Sequence, residues 1–307
     1  MLELLTIFKD IILPIFIVMA IGFILQKKFT MDISTLSKLN IYFVVPAFIF
    51  VKLYSTQFTA SLFGKVLLFF ILLVIILYAI STLFAKILRL DRGKKTTFTN
   101  STMFFNSGNY GVPVNELAFK GDPFAMSIQV IVLTLQNILT FSYGIFALQS
   151  VNTSKWKAMI GYFKMPVLYA MGAGLICNAL NIQVPAVILI PANMIANAMI
   201  GLALLTLGAQ VARIQFKAAL SAVYSSLTIR LIISPLIALF IIWLFRVDGM
   251  TAQALLIASA MPTSVNSAVI AEEYKNYPDF AAQVVLFSTI ISAFTVSFVI
   301  YLAGILF

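Results

Sequence analysis

About ten runs of apolar residues, each roughly as long as a bilayer is thick, follow one another along this chain with only short polar or turn-rich stretches between them. At ~20 residues per helical crossing they occupy roughly two-thirds of the sequence and leave no space for a separate soluble domain. A hydrophobic fraction of 62% and a charged fraction of 10% lie far from those of a water-soluble domain. The expected fold is an all-α membrane protein with ten transmembrane helices, near residues 5–26, 33–53, 62–88, 95–117, 123–149, 161–180, 190–211, 219–245, 250–273 and 280–306. The first run, Leu4 to Leu25, lacks an Ala-x-Ala-like cleavage site and leads directly into a second span, so it reads as a mature helix rather than a signal peptide.

Charge sets the expected orientation. The net charge of +10 suggests nucleic acid at first sight, but the basic residues sit between spans, where topology explains them. Connections after odd-numbered spans hold fourteen Lys and Arg, among them Lys27, Lys28, Arg92, Lys94, Lys95 and Lys155; the opposite side holds five, Lys9, Lys52, Lys65, Lys120 and Arg246. Positive charge is retained in the cytoplasm, which predicts a multi-pass cell-membrane protein with both termini outside. The remaining cation, Arg230, falls inside a span. A single cysteine, Cys177, excludes an intrachain disulfide, and the lack of histidine with few acids argues against a metal centre or any cofactor.

Two halves of five spans are visible, 1–150 and 151–307. Pro14 and Gly22 in the first span have the same spacing as Pro166 and Gly174 in the sixth, and Gln129-Val-Ile-Val-Leu in the fifth resembles Gln283-Val-Val-Leu-Phe in the tenth. Five is odd, so the second half enters the membrane from the other side and the repeat is inverted. Within the fourth span, Asn106-Ser107-Gly108-Asn109-Tyr110-Gly111-Val112-Pro113 interrupts the apolar run. Unpaired backbone groups cost several kcal/mol each in hydrocarbon, so irregular chain at that depth is expected only where it lines a cavity or is buried in protein. The repeat predicts a matching break in the ninth span, and Ala260-Met261-Pro262-Thr263-Ser264-Val265-Asn266-Ser267 supplies one. Two broken helices at corresponding positions point to a binding site at the midplane.

These motifs resemble the auxin efflux carrier family, within the bile, arsenite and riboflavin transporter superfamily. That family includes the plant PIN exporters and bacterial carriers of malate or malonate. Asn106, Gly111, Val112 and Pro113 match its fourth-helix pattern; Met261-Pro262 with Ala271-Glu272-Glu273-Tyr274 and Pro278-Asp279 resemble its ninth helix and following loop; Asn40 and Pro46 fit its second span. The resemblance implies that helices 4 and 9 cross at their breaks. It also implies a scaffold of spans 1, 2, 6 and 7, often the homodimer-forming part, and a moving transport unit of spans 3–5 and 8–10. Ser267 stands where plant carriers tend to have a second proline, and the large cytoplasmic loop of the long plant members is absent.

The chemistry of such a crossover follows from helix ends. The downstream half of a broken helix presents N–H groups and the positive end of its dipole to the break, where carboxylates bind readily. Pro113 and Pro262 are expected at or near the first turn of each downstream half, where a missing N–H costs nothing. Gly108 and Gly111 permit close approach. The amides of Asn106, Asn109 and Asn266 and the hydroxyls of Thr263 and Ser264 would hydrogen-bond a carboxylate without a fixed charge; alternatively they satisfy backbone freed by the breaks. Asn40 is expected on the opposite wall, with Asn137 and Gln136 in the fifth span either reaching the crossover or bonding between helices. Arg230 reads as an anion attractor or gate, or structurally as a partner of Glu116 or a snorkelling side chain. Glu116, Glu272 and Glu273 lie beyond the breaks, and Glu116 or Glu273 would couple protons if burial raised its pKa.

The leading expectation is a secondary transporter of small organic anions, either malate-like carboxylates or auxin-like aromatic acids, working by alternating access and not an enzyme. A sodium-coupled carrier of the bile-acid type is the alternative and requires oxygen ligands gathered near the crossover. No Gly-x-x-x-x-Gly-Lys-Ser/Thr motif provides for ATP. An intramembrane protease would need His or paired Asp within spans, and a receptor a signalling domain; the chain has neither.

Overall fold

The computed structural model describes residues 2–55, 60–144, 146–148, 166–214 and 221–307. Lys155, Lys157, Lys164 and Lys217, together with the starts of the expected sixth and eighth spans, lie outside them. Among the described residues the regular secondary structure is helical. Seven helices are long and apolar enough to cross a bilayer: α1 (Glu3–Phe29), α2 (Ile33–Ser55), α3 (Ser61–Ile87), α6 (Pro123–Leu148), α8 (Ala186–Arg213), α9 (Ser221–Leu244) and α12 (Pro278–Leu306). Shorter helices complete the order: α4 (Arg92–Met103), α5 (Val112–Ala118, entered through a widened turn at Ser107–Gly111), α7 (Pro166–Ala179), α10 (Gly249–Ser259) and α11 (Val265–Glu273).

Polarity is distributed as hydrocarbon solvent demands. Val187, Met194, Trp243 and Phe294 are at least 70% exposed, whereas Asn40, Asn106, Gln129, Gln136 and Arg230 are buried. Apolar side chains facing outward and polar ones packed within is the arrangement for a chain whose surroundings are lipid. The chain is a multi-pass membrane protein.

Tight turns allow the helices to follow one another closely. Asp32, Asp91 and Asp122 cap the N-termini of α2, α4 and α6, accepting from Ser34 N (3.1 Å), Lys94 N (3.0 Å) and Phe124 N (2.9 Å). Arg89, Lys120, Arg246 and Lys275 close helix C-termini with positive φ, placing cations beside the negative ends of the dipoles.

Besides Thr140–Gly144, which no proline closely follows, the described residues hold four widened π turns with a shared feature. They span Phe8–Ile12, Asn40–Val44, Ser107–Gly111 and Ile229–Ile233, and each ends two residues before a proline: Pro14, Pro46, Pro113 or Pro235. Proline lacks an N–H and its ring clashes with the carbonyl one turn earlier; a locally wider turn relieves both conflicts without ending the helix. Asn40 and Arg230 lie on such turns. Pro113 lies in the first turn of α5, as expected from sequence, directly after the widened turn at Ser107–Gly111.

Helix α1 packs along α8 at backbone contact. A Cβ at Gly22 would strike the Leu205 carbonyl, and one at Gly208 the Met19 carbonyl, so only hydrogen fits at either position. At the loop end of the molecule, Asn276 Nδ2 donates to Gly93 O (2.9 Å) and Thr97 Oγ1 (2.8 Å), and Tyr277 OH donates to Asp91 (2.7 Å). These bonds fasten the start of α4 to the loop between α11 and α12. The Tyr277 hydroxyl, and then the Lys94 N–H, hold the Asp91 carboxyl below the usual carboxylate range.

Two outcomes are expected. Gly208→Ala should lower the thermal midpoint, at a cost of about 1–3 kcal/mol, while Gly64→Ala, with open space around the added methyl, should not. A depressed folded pKa gives stability that is present above the unfolded value of about 4 and lost as pH falls through the folded one. Asp91→Ala should thus lower the midpoint at about pH 6, with the difference from the native chain shrinking toward about pH 3 in pH-dependent melting curves.

Candidate functional site

The polypeptide leaves helical geometry after Met103 and after Ser259, and the two extended stretches meet. Phe105 and Thr263 form an antiparallel bridge. Asn106 N donates to Pro262 O and Ser264 N to Phe104 O, both at 2.7 Å. Proline has no donor to offer, so it contributes its carbonyl; Pro262 lies in the extended stretch three residues before α11, near that helix's first turn as expected but outside it.

Side chains satisfy most of the remaining freed groups. Gln129 Nε2 donates to Ser107 O (2.7 Å), Thr263 Oγ1 to Ser101 O (2.9 Å), and Thr263 N to Ser288 Oγ (3.1 Å). Arg230 is fully buried and serves the upstream helices: Nη1 donates to Thr102 O at 3.0 Å, and Nη2 donates to Ser259 O and Ser234 Oγ. It does not meet Glu116, which lies beside Gly121 at the far end of α5.

On the other face of the crossover is a polar cavity of about 50 Å³. Asn106, Ser107, Gly108 and Asn109 border it from one break and Ser264, Val265 and Asn266 from the other. Facing them are Ser37 and Asn40 of α2, Val167 of α7, and Thr206 and Gln210 of α8, with Leu133, Gln136, Asn137 and Thr140 of α6 closing the side. Carboxamides dominate this wall, and no charged side chain is among the lining residues. Asn109 Oδ1 accepts from Asn40 Nδ2 (3.2 Å), and Asn106 Oδ1 caps its helix by accepting from Asn109 N (3.1 Å).

Among the described residues, several buried polar atoms on this wall have no partner: Asn106 Nδ2, Asn40 Oδ1, Gln136 Oε1, Thr206 Oγ1 and Gln210 Oε1. Each is a free hydrogen-bonding valence whose desolvation goes uncompensated unless a ligand or solvent meets it. Asn106 Nδ2 and Thr206 Oγ1 offer donors and the three amide oxygens offer acceptors, and the first turns of both downstream helical segments border the same space, with the N–H groups of Ser107, Asn109, Asn266 and Ser267 already bonded locally. The wall therefore offers both donors and acceptors to a small polar ligand.

The structure thus brings Asn40, Asn106, Asn109, Asn137, Ser264 and Asn266 together around one cavity. Gly111, Pro113, Pro262 and Thr263 build the crossover behind it, and Thr263 spends its hydroxyl on Ser101. Arg230 is screened from the cavity by Phe105, over whose ring its guanidinium carbon sits 5.0 Å from the centroid. Glu116 is half-buried and Glu272 and Glu273 are exposed; none of the three lines the cavity. The sequence reading did not single out Ser37, Thr206 and Gln210. Their signal was available as polar residues one helical turn apart, Ser37 with Asn40 and Thr206 with Gln210, in otherwise apolar spans.

Gly111 tests how the crossover is held. A Cβ there would collide with Gln129 Nε2 and displace it from Ser107 O. Gly111→Ala should cost about 1–3 kcal/mol through the orphaned carbonyl, read as a lower thermal midpoint, whereas Gly172→Ala, with nothing nearby, should be neutral.

Comparison with known proteins places the chain among membrane transporters. The chain is 25% identical over 292 residues to an uncharacterized transporter of Methanothermobacter thermautotrophicus, with 92% of this chain and 94% of the relative covered. Residues 7–300 match the family described as membrane transport protein. The chain belongs to that family of membrane transporters, the auxin efflux carrier-like group that its Asn106–Pro113 and Met261–Pro262 motifs resemble.

Proposed function

We propose that this transporter carries small organic anions by alternating access at the cavity between the two interrupted helices. The observation that carries the reading is the wall itself: uncharged carboxamides and the N-terminal turns of two helical segments around one space, with the Asn106 amide N–H₂ unpartnered. Helix N-termini and amide donors favour a carboxylate without the tight hold of a fixed cation, so the ligand can leave again.

In this reading α4 with α5, and α10 with α11, each make one broken crossing, and α7 makes another, giving ten spans in two inverted halves with both termini outside. The lining divides as alternating access requires. One wall comes from α2, α7 and α8, which belong to the scaffold of spans 1, 2, 6 and 7; the other comes from α6 and the interrupted helices of the transport unit. The exposed apolar residues Val187 and Met194 of α8 provide the scaffold face for a homodimer.

Size narrows the ligand class. A 50 Å³ cavity has space for roughly four water molecules, which favours malonate- or malate-like acids over an indole acid in this conformation.

Thermal unfolding of the purified protein with a panel of mono-, di- and aromatic carboxylates tests the proposal. A ligand that binds the folded state raises its midpoint, by about 2.7 kcal/mol at a hundred times Kd. Short dicarboxylates should give the largest rise, and Asn106→Ala should abolish it. No shift with any acid, or shifts that survive the substitution, would count against the proposed site.

A further inference from the structure

Three oxygens from three helices converge on one point behind the crossover: Thr102 O from the last turn of α4, Ser259 O from the last residue of α10, and Ser234 Oγ of α9, which also donates to Ser259 O at 2.9 Å. Both carbonyls belong to helix C-termini, where the dipoles place partial negative charge. Two such ends meeting in a low-dielectric interior repel each other unless a cation lies between them. Carbonyls at the ends of broken helices are also the groups that coordinate sodium in ion-coupled carriers.

The guanidinium of Arg230 fills that position. It bonds all three oxygens, is fully buried, and rests on the Phe105 ring. Its hydrogen-bond partners among the described residues are all neutral, so its charge is balanced by carbonyl and aromatic density rather than by a carboxylate. The widened turn before Pro235 sets where Arg230 and Ser234 stand on α9.

We propose that Arg230 is a tethered cation: it occupies the place between the two helix C-termini where a free monovalent metal ion would otherwise bind, and so holds the crossover together in the absence of sodium or potassium. The consequence for coupling rests on the transport reading above; the cation site itself does not. With the negative helix ends permanently neutralised, the positive ends facing the cavity set its preference for anions, and no co-transported metal ion is needed to assemble the site. Arg230 acts as a positioning residue, one aromatic ring away from the ligand.

The test is melting of the purified protein in sodium, potassium or N-methylglucamine chloride at equal ionic strength, with and without methylguanidinium. No transport substrate is needed, so failure to find an anion in the carboxylate panel would leave this result standing. The native chain and Arg230→Lys should be insensitive to the cation. Arg230→Ala and Arg230→Gln should melt lower in N-methylglucamine and regain about 5 °C or more with sodium, potassium or methylguanidinium. The proposal is overturned if the native chain is itself stabilised by sodium, if the Ala and Gln variants melt like the native chain, or if no cation restores them. If neither variant can be isolated, recovery of Arg230→Lys supports a requirement for charge, and its loss as well overturns it.

Discussion

Two backbone hydrogen bonds, Asn106 N to Pro262 O and Ser264 N to Phe104 O, are the constraint on which the rest of this structure depends. In lipid a chain can leave the helix only if its exposed peptide groups find partners. Here each interruption satisfies the other, so neither can exist alone. Once the two stretches are paired, the four helix ends around them are fixed in space: two C-termini on one side and two N-termini on the other. The chemistry of each side follows from that separation of dipoles.

The negative side is closed by Arg230, with Ser101 and Ser259 carbonyls occupied by Thr263, Ser234 and the guanidinium. The positive side is the amide-lined cavity. Phe105 belongs to both, its ring beneath the guanidinium and the residue among those lining the cavity. A single residue of the bridge thereby joins the cation to the proposed anion site while keeping them apart. For the anion proposed above, that separation would provide attraction without an ion pair that traps it, since a directly paired and buried charge is costly to unmake.

Much of this was legible in the sequence, because interrupted apolar runs have few physical explanations. Asn106–Pro113 and Ala260–Ser267 identified both breaks, and the amides at 40, 106, 109, 137 and 266 do share one cavity. What escaped was three-dimensional pairing. Arg230 was read as a gate or a partner of Glu116, because a sequence shows which side chains carry opposite charge but not which carbonyls a fold will leave exposed. Pro262 stands near a helix start, as its residue type suggests, but that its carbonyl serves the bridge is not visible in sequence. Thr206 and Gln210 were overlooked since polar residues one turn apart in a span stand out only when the opposing helix is known. The prolines at 14, 46, 113 and 235 were noted or passed over singly; their shared effect, a widened turn just before each, emerges only from backbone geometry.

The central claim is that the cavity at the crossover is the place from which a ligand reaches both sides of the membrane. It is tested most directly by a single cysteine at Asn266, introduced by Asn266→Cys with Cys177→Ser, in oriented membranes exposed to an impermeant thiol reagent from one side and then the other. Alternating access predicts labelling from both sides, slowed from each by the carboxylate that stabilises the purified protein. Labelling from one side only, or from both sides at rates that no ligand alters, would contradict the account.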